Sequence, residues 1–159
     1  MTAGHRTPDG NRPWLSRDGG EAQVMPEGRR PWLPRDAAEA RARVAEALDV
    51  AEAATGVGLS AQARGDALLV ASELVTNAMR HGGGLTGFGV EIHRGVVTIT
   101  VADQSGELPR LADAQGRKRA FGPAEGGFGW PLIRLLAREI RLCLLPQGGK
   151  TIEVRLPLH

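Results

Sequence analysis

An acid, an amide and an imidazole stand four residues apart in Ser72-Glu73-Leu74-Val75-Thr76-Asn77-Ala78-Met79-Arg80-His81. Helical positions four apart are neighbours on one side, so Glu73 and Asn77 point the same way. His81 lies only about 80° round from Glu73 at ~100° per residue. The three polar groups share one stripe of an otherwise apolar helix. Such a stripe can line a polar binding site; taken alone, it can equally face solvent.

Two further segments change that balance. Val101-Ala102-Asp103 ends an apolar run with a carboxylate, followed by Gln104-Ser105-Gly106. A buried aspartate at a strand end can accept a hydrogen bond from an amino group such as that of adenine, and a charged acceptor is worth ~1.5–3 kcal/mol. An aspartate that merely shapes a turn would read the same way in isolation. Glu125-Gly126-Gly127-Phe128-Gly129-Trp130-Pro131-Leu132-Ile133 sets glycines directly before an apolar stretch. Glycines at a helix N-terminus let backbone N–H groups approach a phosphate, and the helix dipole attracts the anion. A flexible turn before a helix start is the plainer alternative.

The elements that must hold these groups follow from periodicity. Asp36 and Glu39 fit a capping pair. Val44, Ala47, Leu48 and Ala51 then recur at helical spacing, so the sequence predicts an amphipathic helix over 37–54, ended by Gly56 and Gly58. Ser60 can cap a second helix running to about Arg80. Its core face is Ala63, Ala67, Val70, Ala71, Leu74 and Ala78, and Gly82-Gly83-Gly84 stops it. From Phe88 the period is two: Val90 and Ile92, a turn at Arg94-Gly95, then Val97, Ile99 and Val101 on one face with Thr98 and Thr100 on the other. Residues 104–126 form a long loop, a length that is usually functional or disordered. A helix from Pro131 and strands over 140–145 and 151–156 complete the chain. This order predicts a two-layer α/β sandwich with a mainly antiparallel or mixed sheet.

The 159 residues suffice for one domain with a hydrophobic core. Twenty basic residues face 18 acidic ones, a net charge of +2 that gives no nucleic-acid footprint. The single cysteine, Cys143, cannot form an internal disulfide and reads as an inert thiol in a buried strand. No apolar run has the length of a membrane span, and no signal core opens the sequence, so a cytoplasmic protein is expected.

Residues 1–35 hold Pro8, Pro13, Pro26, Pro31 and Pro34 and lack apolar periodicity, which predicts a flexible arm before a domain over 36–159. Within the arm, Arg12-Pro13-Trp14-Leu15-Ser16-Arg17-Asp18 recurs as Arg30-Pro31-Trp32-Leu33-Pro34-Arg35-Asp36. Two copies are too few for a solenoid. They are either a local duplication or a Trp-anchored peptide that docks on a partner or folds back on the domain. Two apparent motifs fail on context. Gly148-Gly149-Lys150-Thr151 imitates the end of a P-loop but has Leu144 where glycine is needed and a strand where a helix should follow. Gly82-Gly83-Gly84-Leu85-Thr86-Gly87 lies after a helix and before a strand, the reverse of a dinucleotide fingerprint.

Taken in order, these pieces resemble the GHKL (Bergerat-fold) ATPase superfamily, and within it the short bacterial branch of anti-sigma factors and serine/threonine protein kinases. Glu73-Leu74-Val75-Thr76-Asn77-Ala78, with His81-Gly82, resembles the family's N box. Val101 to Ser105 resembles the first glycine box, Gly126-Gly127-Phe128-Gly129 with Pro131-Leu132 the second, and Gly148 to Pro157 the closing strand. The likeness covers roughly 36–158, and the N box is its specific part. It implies ATP and Mg²⁺ as cofactors. Asn77 would ligate the metal, and Glu73 would orient or deprotonate the attacking hydroxyl as the catalytic residue. Asp103 would receive the adenine amino group with support from Thr151. Gly126, Gly127, Phe128 and Gly129 would cradle phosphate, and His81, Ser105 and Gly106 would complete the nucleotide site. Residues 104–126 become a lid in which Arg117, Lys118 and Arg119 meet phosphate or partner. Trp130 departs from the small aliphatic residue usual beside the phosphate loop. It would crowd the lid or stack on a partner.

The resemblance implies a kinase that phosphorylates an anti-sigma-factor antagonist and sequesters a sigma factor, with a homodimer expected. Its rival is a non-catalytic module in which nucleotide only shapes a surface that grips a partner. Direct DNA binding by the arm is disfavoured, because six arginines in residues 1–36 meet five acids. A membrane partner is not expected.

Overall fold

Both long helices begin where the sequence caps them. Helix α1 spans Ala37–Thr55, and the Asp36 carboxylate accepts the Glu39 N–H at 2.9 Å. Glu39 turns back not to the Asp36 amide but to Arg35, accepting from its backbone N and its Nε at 2.7 Å each. The side-chain hydrogen bond from Arg35 holds the Glu39 carboxyl below the ordinary carboxylate range. Gly56, left-handed at φ 68°, ends α1 by donating its N–H to Glu52 O. Helix α2 spans Ala61–His81 and opens with the Ser60 hydroxyl accepting from Ala63 N at 3.0 Å.

The computed structural model describes residues 31–109 and 129–159. The first Arg-Pro-Trp-Leu copy and the stretch carrying Arg117, Lys118 and Arg119 lie outside the described residues. So do Gly126, Gly127 and Phe128.

Strands β1 (Leu85–His93) and β2 (Val96–Asp103) form a hairpin across Arg94 and Gly95, whose φ values of 48° and 74° give the turn both of its left-handed positions. Helix α3 covers Gly129–Leu136, two residues earlier than Pro131 suggests. Strands β3 (Glu139–Leu144) and β4 (Lys150–Pro157) form the second hairpin. The four strands lie in the order β1-β2-β4-β3, each pair antiparallel. The helices cover one face: α1 packs on α2 and β1, and α2 packs on β2, β4 and α3. This is the predicted α/β sandwich, with its sheet antiparallel at every described pairing.

The core lies between the layers. Val44 and Leu48 of α1, Val70, Leu74 and Val75 of α2, and Ile133 of α3 meet Val97, Ile99 and Val101 of β2 and Val154 and Leu156 of β4. Four alanines on the buried face of α2 (Ala63, Ala67, Ala71 and Ala78) leave room for close packing against its neighbours.

Trp32 and Pro34 of the second Arg-Pro-Trp-Leu copy pack on this unit. Trp32 sets its ring edge-on to Phe88 of β1 at 5.9 Å, with the Arg43 guanidinium over it, and Pro34 is buried. One expectation is corrected: Cys143 is exposed. Strand β3 is an edge strand half covered on one face, and its alternation turns Ile140 and Leu142 toward the core and Cys143 away from it. Among the described residues, no helix is long and apolar enough to cross a membrane.

Leu48→Ala empties a fully buried site and is expected to destabilise the domain by ~2–5 kcal/mol in a denaturant titration. Val50→Ala, at a site on the same helix that is 64% exposed, is expected to stay within ~0.5 kcal/mol of the parent. Equal losses at the two positions would contradict this packing.

Candidate functional site

The C-terminus of α2, the end of β2 and the start of β4 meet around Asp103, and the N-terminus of α3 meets Glu73 midway along α2. The α2 and β2 ends are tied by the Gln104 N–H, which donates to Gly82 O at 2.9 Å. Asp103 lies against Gly82 so closely that a Cβ at position 82 would stand 2.5 Å from both Asp103 Cγ and Oδ2. A Cβ at Gly149, left-handed at φ +90°, would stand 2.4 Å from the Asp103 carbonyl oxygen. Glycine is therefore demanded twice, once against the side chain and once against the backbone of the same aspartate.

Strand alternation dictates which way Asp103 points. Val97, Ile99, Val101 and Asp103 form the inward face of β2, so the carboxylate ends the core row. Only 5% of Asp103 is exposed, and a carboxylate that deep needs partners. Its Oδ1 accepts the Ser105 N–H at 2.9 Å. Lys150, paired with it across β2 and β4, donates from Nζ to Oδ1 at 3.0 Å and Oδ2 at 2.9 Å. The same Nζ donates to Ser105 O at 3.2 Å. Lys150 is itself 5% exposed, so both members of the pair are largely buried.

Glu73 is half-buried and reaches α3. A Cβ at Gly129 would stand 2.0 Å from Glu73 Oε2, so the carboxylate lies against the first residue of that helix. The partial positive charge of a helix N-terminus favours an acid there. Asn77, one turn further along α2, is half-buried, while His81 is exposed at the last residue of the helix. Ser105 is half-buried and uses its backbone on Asp103 and Lys150, and Gly106 is exposed. Gly129 is buried at the α3 N-terminus.

Thr151 does not share the Asp103 face. It pairs with Ala102, on the side of the sheet that carries Thr98 and Thr100, and its buried hydroxyl finds no hydrogen-bond partner. The residue facing Asp103 from β4 is Lys150. Extending the inward row Leu156, Val154, Ile152 two residues toward the N-terminus finds it, a signal available in the sequence. Trp130 is half-buried against the core, and its indole N–H also lacks a partner. Among the described residues, no three His, Cys, Asp or Glu side chains cluster as a metal-binding group. A recess of about 360 Å³ beside Asp103 is lined by Thr86, Gln104, Leu145, Gln147 and Gly148. A second, of about 440 Å³, lies on α1 beside Trp32 and Arg43, and includes none of the polar stripe.

A family match agrees with this architecture. The family model described as the histidine kinase-like ATPase domain matches residues 37–156. Among solved structures, the blue-light activated histidine kinase EL346 of Erythrobacter litoralis is similar, with 19% identity and a TM-score of 0.45. The match covers 75% of this chain and 42% of that kinase, so the chain spans less than half of its length. No curated protein matches in sequence.

The two kinds of glycine in α2 and its cap give predictions of opposite sign. Gly82→Ala must displace the Asp103 carboxylate from its partners and is expected to cost ~1–3 kcal/mol of stability. Gly65→Ala, where a Cβ meets nothing within 4 Å, is expected to stabilise the helix by ~0.5–1 kcal/mol. Chemical denaturation of both variants checks the pair, and a harmless Gly82→Ala would contradict the close approach.

Proposed function

The chain belongs to the histidine kinase-like ATPase family, and from that membership we propose that it binds MgATP between α2, α3 and the end of β2. The observation that carries the reading is the double use of α2. Its Glu73 abuts the start of α3, and its terminal Gly82 abuts Asp103. The two contacts are nine residues apart along α2, roughly 14 Å at 1.5 Å per residue, and the polar stripe runs between them.

Each residue then has a chemical role. Asp103 accepts the adenine amino group, through Oδ2, which Gly82 and Lys150 flank. The Asn77 carbonyl oxygen suits a hard cation such as Mg²⁺, which keeps most of its ligands as phosphate and water rather than as a protein cage. Glu73 orients or deprotonates an attacking hydroxyl, and a positioned base of this kind gives ~10²–10⁴-fold. Gly129, with Gly126, Gly127 and Phe128 before it, offers backbone N–H groups to the phosphates.

The reaction proposed is transfer of the γ-phosphoryl group to a serine or threonine of a partner protein. Such transfer depends mainly on positioning and charge neutralisation, which this small residue set supplies. The partner class that the sequence resemblance favours is an anti-sigma-factor antagonist, with a sigma factor as the sequestered protein and a homodimer as the working unit. In the competing reading, the domain grips its partner without turnover. Retention of Glu73 beside the start of α3 favours the enzyme.

Calorimetric titration of MgATP into the protein is expected to give saturable one-site binding, weakened about tenfold or more in Asp103→Asn by loss of a charged hydrogen bond. Glu73→Gln is expected to keep nucleotide affinity and lower phosphoryl transfer by ~10²-fold or more. Absence of binding by the folded protein, or equal affinity in Asp103→Asn, would overturn the site. A Glu73→Gln protein with unaltered partner regulation would replace the kinase with the binding module.

A further inference from the structure

Gly129 is a glycine that its own backbone does not require. Its φ lies outside the left-handed region that favours glycine. It opens α3 and is buried there, although alanine is the better helix former. What excludes a side chain is Glu73. A Cβ at 129 would overlap Oε2 and stand 2.9 Å from Cδ and 3.3 Å from Cγ, three atoms of one side chain. Gly82 and Gly149 differ, because a Cβ at either also presses on backbone, at 2.7 Å from Ala78 O and 2.4 Å from Asp103 O. At Gly129 the obstacle is the far end of a flexible chain, which can swing aside. The cost of a Cβ there falls on where the carboxylate sits rather than on whether the domain folds.

We propose that Gly129 is a positioning residue, whose missing side chain forms the seat of the Glu73 carboxylate. The glycine then serves two separable ends. Its backbone N–H is offered to phosphate in the proposed site, and alanine would keep that donor. Its bare Cα admits the acid, and alanine would not. A catalytic group displaced by about 1 Å can lose ~10²-fold in rate. This rests on the reading of Glu73 as the group that orients or deprotonates the attacking hydroxyl, and goes beyond it by naming what aims that group.

The test compares Gly129→Ala, Glu73→Ala and the double variant with the parent, by chemical denaturation without nucleotide and by MgATP turnover with water as acceptor. In denaturation, Gly129→Ala is expected to raise the midpoint more in the Glu73→Ala background than in the parent, because the colliding acid is gone. In turnover, Gly129→Ala is expected to lower kcat by roughly 10–100-fold with KM kept. The same change in the Glu73→Ala background is expected to cost no further turnover, since the seat acts only through the acid. Gly65→Ala, where a Cβ meets nothing within 4 Å, is expected to leave kcat unchanged. An equal midpoint shift in both backgrounds overturns the contact, and with it the proposal. So does an unaltered kcat in Gly129→Ala, or a double variant that loses the product of the two single losses. If the midpoints couple but the parent turns over no MgATP, the reading of Glu73 as a base fails and the proposal falls with it.

Discussion

The pairing of Asp103 with Lys150 is the constraint around which one end of the molecule is built. Removing a carboxylate and an ammonium from water costs several kcal/mol per ion, recovered only with close pairing and further hydrogen bonds. Every neighbour of the pair meets part of that demand. The β2–β4 register sets the two residues opposite each other, and the Ser105 amide and carbonyl serve one ion each. Gly82 and Gly149 make room where any side chain would collide with the aspartate. A change at any of these positions leaves a buried charge without its partner, so they act as a set rather than as separate contacts.

Helix α2 links this charged end to the rest of the site. Its alanine-rich face lets it lie close to the sheet, which brings its terminal glycine onto Asp103 and its Glu73 onto the first residue of α3. Close packing in the core thus fixes polar geometry at the surface. The α3 N-terminus supplies the favourable dipole, and the glycine there lets the acid approach. The family match over residues 37–156 spans every element that carries these side chains.

Much of this was legible in the sequence because local rules set it. Asp36 and Ser60 cap their helices as their types predict, and Arg94-Gly95 turns the first hairpin. The inward row Val97, Ile99, Val101 continues to Asp103 without a break. What escaped depended on tertiary pairing. Cys143 reads as buried in an apolar run, yet β3 is an edge strand and turns it outward. Lys150, which the sequence reading passed over, is the residue that meets Asp103 across β2 and β4. The sequence left open whether the second copy of the repeat docks elsewhere or folds back, and its Trp32 packs against Phe88 and Arg43.

The central claim is that a nucleotide lies between Asp103 at the sheet end and Asn77 and Glu73 on α2. A crystal structure of the protein with Mg²⁺ and a non-hydrolysable ATP analogue tests it most directly. The account predicts the adenine amino group within hydrogen-bond distance of the Asp103 carboxylate, the metal on the Asn77 carbonyl oxygen, and the phosphates at the N-terminus of α3. A nucleotide seated instead in the recess on α1 beside Trp32 and Arg43, with the Asp103–Lys150 pair undisturbed, would contradict it.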